Sequence, residues 1–314
     1  MTTTAVPRKL EIPTGQAEAT VRAGRRTVRL TNLTKLFWPA LGLTKRDLLQ
    51  YYADVASVLV PHVRDRAMVM KRYPDGIRGK WFFMKRAPEP RPAWIETCAI
   101  MHKSRNLIPF PMVQDLPALL WLVNLGCIDL NPWYARCEDV NRPDHLHFDL
   151  DPGVRTGFET VLEAALLVRN ALQEQGMNPL VKTSGASGMH VYVPIARGPV
   201  QKDVWRFAKA LAQRLARAHP AVLTAEFRIA DRPPGRVLVD YNQNAWGRTL
   251  ASVYSPRPVE HAGVSTPVTW DEVEHGFEPA DFTLLNVPAR LAAVGDLWAP
   301  VRASRGRFPL QDVL

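Results

Sequence analysis

No run of about 18 apolar residues occurs in this chain of 314, and about that many are needed for a helix to cross a bilayer. A transmembrane helix is therefore not expected, nor a membrane partner. The opening stretch, MTTTAVPRKLEIPTGQAEATVRAGRR, has no apolar h-region, which argues against a secretory signal. Cysteine is scarce. Cys98, Cys127 and Cys137 are the only three, and no two have CxxC spacing. Such a set supports neither a disulfide framework nor a zinc ribbon, and a reducing cytoplasm fits. Negative charge is also short: Lys and Arg number 40 against 30 Asp and Glu, a formal net charge of +10. That excess favours polyanionic partners, nucleic acid above all, although a basic soluble protein needs no such partner. No internal repeat or low-complexity tract is present.

What is present is an ordinary globular composition, 46% hydrophobic and 22% charged. It is enough for one large domain or two fused modules. Residues 1–20 are polar and read as a flexible N-terminus. VRLTN (28–32) starts as a strand. LTKRDLLQYYADVASVLV reads as a helix, with Thr44 as N-cap and Asp47 completing a capping box. Its buried stripe is Leu48, Tyr51, Tyr52, Val55 and Leu59. AMVMKRYP (67–74) and KWFFMKRA (80–87) read as strands about the turn DGIRG. Residues 88–118 are Pro-rich and read as irregular, and 118–130 as a helix running into a strand. From 145 to 243 the order is β, α, β-β, α, β, a mixed sheet with helices, α+β or α/β. The tail from 270 alternates short helical pieces with prolines.

The stretch HLHFDLDPG (145–153) carries the first chemical signal. Side chains on a strand alternate faces, so Leu146, Phe148 and Leu150 point to the core. His145, His147, Asp149 and Asp151 point the other way. Two like charges this close tend to protonate unless something positive lies between them. A solvated strand end is one reading. A divalent-cation site is the other, since hard oxygen ligands suit Mg²⁺ or Mn²⁺. VLVDYNQN offers Asp240 as a third carboxylate, on a strand too apolar to hold it without compensation. KTSGASGMHVYVP (182–194) places two glycines about a tight turn, where backbone N–H groups, Ser184 and His190 could meet a phosphate. The same pattern fits a plain hairpin with a core histidine. Arg257 in YSPR offers a phosphate fork. Trp81, Phe82 and Phe83, set between Lys80 and Lys85, make an aromatic-basic patch suited to stacking on nucleic acid. Asn32, Lys35 and Lys45 sit about a turn and a helix N-terminus, a ready anion site or a solvated basic face.

Taken together, NLTKLFWPALGLTKRDLLQYY, MKRYPDGI, KWFFMKR, NLGCIDLNPW, HLHFDLDPG, KTSGASGMHVYVP and VDYNQN…YSPR resemble the polymerase domain of bacterial ligase D, a member of the archaeo-eukaryotic primase superfamily. The resemblance spans about residues 25–300. It implies an α+β fold with a primase-like core, mixed and antiparallel sheets flanked by helices. It also implies a primase-polymerase domain over 21–300, with modules 21–140 and 141–300 sharing one catalytic cleft, and a tail over 301–314.

The resemblance further implies a template-directed nucleotidyltransferase that fills short gaps or broken ends, often with ribonucleotides, in end joining or gap repair. Asp149, Asp151 and Asp240 would be its catalytic triad and hold two Mn²⁺ or Mg²⁺ ions. Lys71, Ser184, Ser187, His190, Gln243 and Arg257 would bind the NTP or dNTP substrate. Phe82 and Phe83 would stack on template. Asn32, Lys35 and Lys45 would take the 5′-phosphate of the downstream strand. DNA is the implied partner, with a Ku-type end-binding protein and a separate ligase beside it, in the nucleoid of a bacterial cytoplasm. Two positions depart from the family pattern: Ser187 replaces a common Lys or Arg, and Asn131 a common His. No adenylation-type KxDG stretch is present, so either a stand-alone relative or an excised domain is expected, and the start MTTTAVPRK favours the first. A metal-dependent nuclease or phosphatase with the same triad, and a non-catalytic DNA-end-binding module, are the alternative readings.

Overall fold

The computed structural model describes residues 10–101 and 105–314. The N-terminal module begins with two small hairpins, β1 (Ala19–Ala23) with β2 (Arg26–Leu30), and β3 (Leu36–Trp38) with β4 (Leu43–Thr44). α1 (Lys45–Val63) follows at once. Thr44 accepts from the Asp47 amide, and the Asp47 carboxylate accepts from the Thr44 amide, so the expected capping box is present. Leu48, Tyr51, Tyr52, Val55 and Leu59 are all buried on its inner face. β5 (Met68–Arg72) and β6 (Phe82–Met84) come next, then a hairpin of β7 (Thr97–Met101) and β8 (Leu107–Pro111). α2 (Leu116–Asn124) runs through a turn at Gly126 into β9 (Cys127–Pro132). β6, β5 and β9 make a three-stranded antiparallel sheet in that order.

The second module is built on β10 (His145–Pro152), followed by α3 (Phe158–Gln173), β11 (Leu180–Thr183), β12 (Met189–Pro194), α4 (Gln201–Ala218), β13 (Leu223–Thr224) and β14 (Val237–Asp240). β15 (Pro267–Val268), α5 (Trp270–His275) and α6 (Val287–Val294) complete it. Its six strands run in the order β13-β14-β10-β12-β11-β15, antiparallel except for β13 with β14. α3 and α4 cover the face that carries Leu146, Phe148 and Leu150, all fully buried. The opposite face meets the stretch after β9, where the Tyr134 ring lies against His145 and His147. Buried hydroxyls tie the two modules together: Tyr51 donates to the Tyr254 carbonyl at 2.9 Å, and the Tyr52 hydroxyl lies 3.3 Å from that of Ser255.

Three expectations are corrected. The Pro-rich stretch 88–118 is not wholly irregular, because Thr97–Met101 and Leu107–Pro111 pair as the β7–β8 hairpin. Pro109 and Pro111 stand in that ladder opposite Ala99 and Thr97, and in a two-stranded sheet both strands are edges, where proline is tolerated. Cys98 and Cys137 form a disulfide. They are 39 residues apart, and the hairpin packs beside the loop after β9 so that their Cα atoms come to 5.8 Å. That proximity is tertiary and leaves no trace in cysteine spacing. Finally, the chain is anchored well before residue 20. Ile12 is buried, with its amide bonded to Gln50 and its carbonyl to Arg46. Residues 1–9 of the expected flexible terminus lie outside the described residues. At the other end, Leu310 is fully buried and Arg307 donates to the carbonyls of Asp144 and Ile195, so the 301–314 tail is docked.

Candidate active site

β10 is flanked by β12 on one side and β14 on the other, and Asp149 pairs with His190 across the first and with Asp240 across the second. Register alone therefore sets the two carboxylates side by side, and Asp151 projects from the same face two residues on. Ligand oxygens of Asp149, Asp151 and Asp240 all lie within 4.8 Å of one another. Burial, then the charge of Asp240, pushes the Asp149 carboxyl up to about 7. The charge of Asp149, then burial, pushes Asp151 up to about 8. Three clustered carboxylates, Asp149 and Asp240 buried and Asp151 half-buried, make a site whose ionised form calls for cations, and their hard oxygens suit Mg²⁺ or Mn²⁺.

A cavity of about 340 Å³ opens over this cluster, lined among others by Lys71, Phe83, Asp129, Asn131, Ser184 and Arg257. Ser187 and His190 also face it. The turn between β11 and β12 is held by Ser184, whose Oγ accepts from the amides of Ala186 and Gly188 at 3.2 and 3.0 Å. Gly185 adopts φ +76°, and a side chain there would collide with Ser265 and Arg257. That close approach brings Arg257 onto the turn, where its guanidinium donates to the Ser184 carbonyl at 2.9 Å. The Arg257 Nε also lies 3.3 Å from Asp129, without hydrogen-bond alignment.

Behind the cavity wall, Lys182 is fully buried and bonded to His190 Nδ1 at 2.6 Å, the Ser265 hydroxyl and the Ala251 carbonyl. Burial holds both the Lys182 amine and the His190 imidazole well below their ordinary ranges. With Lys182 on Nδ1, the Nε2 of His190 faces Asp149 at 3.2 Å and holds that carboxylate in place.

The structure brings most of the expected residues together and separates some. Phe83 lines the cavity beside Lys71, whose ammonium lies over the rings of Trp81 and Phe83. Phe82 points to the other face of β6, under Arg72. Gln243 does not line the cavity. Its amide donates to Asp240 at 2.9 Å. Lys45 is buried, donating to the Thr31 carbonyl at 2.7 Å, and burial with the nearby charges of Lys35 and Arg72 brings its amine down to about 8. Lys35 is paired with Asp75 at 2.6 Å, and Asn32 turns the chain there at φ +56°.

Two participants escape a reading by motif. Arg72 is the third cation beside Lys35 and Lys45. Asp129, fully buried with its carboxyl raised by burial, faces Arg257. The signal for Asp129 was the alternation of Asp129 and Asn131 within an otherwise apolar strand.

Among known proteins, a model of the LigD primase-polymerase domain matches residues 44–298. The chain is 33% identical over 91% of its length to the multifunctional non-homologous end joining protein LigD of Mycolicibacterium smegmatis, and 32% identical over 91% to that of Pseudomonas aeruginosa. It spans 37% and 34% of those proteins. Among solved structures it is similar to the polymerase domain of Mycobacterium tuberculosis ligase D in complex with DNA, with a TM-score of 0.82 and 30% identity. That match covers 88% of this chain and 98% of the solved one.

Proposed function

This chain belongs to the LigD primase-polymerase family and is by that membership a DNA nucleotidyltransferase, and we propose that it extends primer 3′ ends across short gaps or broken ends bearing a downstream 5′-phosphate, preferring ribonucleotides. The observation that carries this reading is the placement of three converging carboxylates directly opposite a phosphate-binding edge. Ser184, Ser187, His190 and Arg257 lie on the β11–β12 side of Asp149, and Asp240 lies on the β14 side. A triphosphate on the first side leaves the second for the primer hydroxyl, the in-line arrangement that phosphoryl transfer requires.

Arg257 and Lys71 supply fixed positive charge to the phosphate tail, and the Ser184 turn offers backbone amides. His190, locked by Lys182, positions Asp149. Gln243 positions Asp240 rather than touching nucleotide. Two divalent cations held by Asp149, Asp151 and Asp240 would lower the pKa of the attacking hydroxyl and neutralise the departing pyrophosphate. Phe83 offers a stacking face to the template base. Lys35, Lys45 and Arg72 form a basic recess suited to the 5′-phosphate. Asn131 lines the cavity where the sugar would lie, and we assign it the sugar contact. The relatives' names support action in end joining as part of the proposal, and a Ku-type protein and a separate ligase are the partners proposed beside it.

Primer extension on a duplex with a one-nucleotide gap tests the reading, with Mn²⁺ or Mg²⁺ and each rNTP and dNTP in turn. Templated addition, with ribonucleotides favoured, is expected, and Asp149→Ala should abolish it. A folded protein that binds the gap yet adds nothing with either metal would leave only an end-binding module.

A further inference from the structure

We propose that a groove centred on Trp246 binds the unpaired 3′ tail of the primer strand, immediately upstream of the reacting nucleotide. The inference rests on the polymerase reading for the direction of the strand.

β9 serves as a ruler across the molecule. At its start, Cys127 pairs with Arg72, which neighbours the Lys35 and Lys45 recess. Asp129 and Asn131 follow in the catalytic cavity. Just beyond its end, on the same face, Trp133 lines a second cavity of about 210 Å³. β6 takes the same step, with Phe83 in the catalytic cavity and Lys85 in the second. The loop after β14 takes it in reverse, with Trp246 and Gly247 in the second cavity and Thr249 in the first. The second cavity is thus a direct continuation of the cleft, about 7 Å further along the strands. It lies at the end opposite the 5′-phosphate recess. In a gap, that end belongs to the upstream strand. It also lies on the Asp240 side, away from the triphosphate groups, and that side belongs to the primer.

The chemistry fits a single strand. Trp246 is 36% exposed, and its ring is held edge-on by Trp133 at 5.0 Å and 88°. Its indole N–H donates to Asn141 at 3.2 Å. The ring is therefore fixed while leaving surface open. Ile100, Ile108 and Phe110 form the apolar wall. A third cavity of about 440 Å³, with Trp205 and Lys202, adjoins the same indole. Among the described residues no carboxylate lines either cavity. Lys85, Lys202 and Arg248 are exposed, and none pairs with a carboxylate among the described residues. Aromatic faces framed by unpaired cations are the composition that stacks bases and tracks a backbone without reading sequence.

The test loads the protein onto a 5′-phosphorylated DNA end with a protruding template, then titrates in a short primer strand carrying 2-aminopurine as its second nucleotide from the 3′ end. Binding with quenching of the probe is expected. Trp246→Ala should weaken primer binding about tenfold and lift the quench, as loss of one base stack does, while keeping its affinity for the 5′-phosphorylated end. Trp246→Phe should restore both signals. Primer affinity and quenching that are unaltered in Trp246→Ala would overturn the proposal. Should that variant fail to fold, Lys85→Glu with Lys202→Glu, both at exposed positions, decides the matter: loss of primer binding supports the groove and unaltered binding overturns it. Failure of the polymerase reading looks different, because the wild-type protein would then capture the primer and never extend it.

Discussion

Asp149 and Asp151 are held in a folded state that resists their ionisation. In the unfolded chain both titrate near 3.8, whereas in the fold they titrate near 7 and 8. Between about pH 4 and pH 8 the native state therefore binds more protons than the unfolded one, and stability falls as pH rises through that window. Without divalent cation, the melting temperature should decline across it and level off above. Mn²⁺ competes with those protons, so its stabilising effect should be larger at about pH 8 than at about pH 6. Thermal melts over a pH series, with Mn²⁺ and with a chelator, check this. A flat profile would mean that the carboxylates are not coupled as their spacing requires.

Lys45 makes the converse case. Its amine is lowered to about 8 by burial and by Lys35 and Arg72. It is charged at neutral pH and loses that charge as pH rises through about 8. The affinity gained from a 5′-phosphate on the downstream strand should therefore shrink above that pH. Comparing phosphorylated with unphosphorylated gaps over a pH series measures it, and Lys45→Ala should remove most of the difference.

At the scale of elements, α1 joins the recess to the core. It begins at Lys45, and its cap is the Thr44–Asp47 box. Thr44→Ala removes one half of the box, and a loss of about 1 kcal/mol is expected in denaturant unfolding. The same change should loosen Lys45, so 5′-phosphate discrimination should fall with it. The cap and the stripe were legible because both depend on residues a few positions apart. β10 was legible for the same reason: alternation assigns Phe148 inward and Asp149 outward before any neighbour is known. The β7–β8 hairpin was not. Pro109 and Pro111 mask a strand pattern whose only support is its partner, and TCAIM by itself is too short to compel a strand.

The whole molecule is basic, and its carboxylate cluster lies in the cleft. A net charge of +10 should make gapped-DNA binding fall steeply with salt, by several decades between about 50 and 200 mM if six or more phosphates are contacted. Titrations at several salt concentrations give the slope, and removing Lys45 should reduce it by about one. A shallow slope would show that the positive surface is not the binding surface.

The sequence by itself determined the local grammar of this protein. It decided which faces of 145–151 and of α1 are apolar, where α1 begins, the order of motifs along the chain, and the sign of the partner. Each of these depends on residue type and short-range periodicity. The tertiary structure alone decided the juxtapositions. Strand order placed Asp240 beside Asp149 although 91 positions separate them, and set His190 on the other side. Packing of distant segments set Arg257 against Asp129. It closed Cys98 onto Cys137 and carried Trp246 to the far end of the cleft. These contacts span long loops. Their energy comes from neighbours that meet only after the sheet has assembled, so composition and spacing carry no record of them.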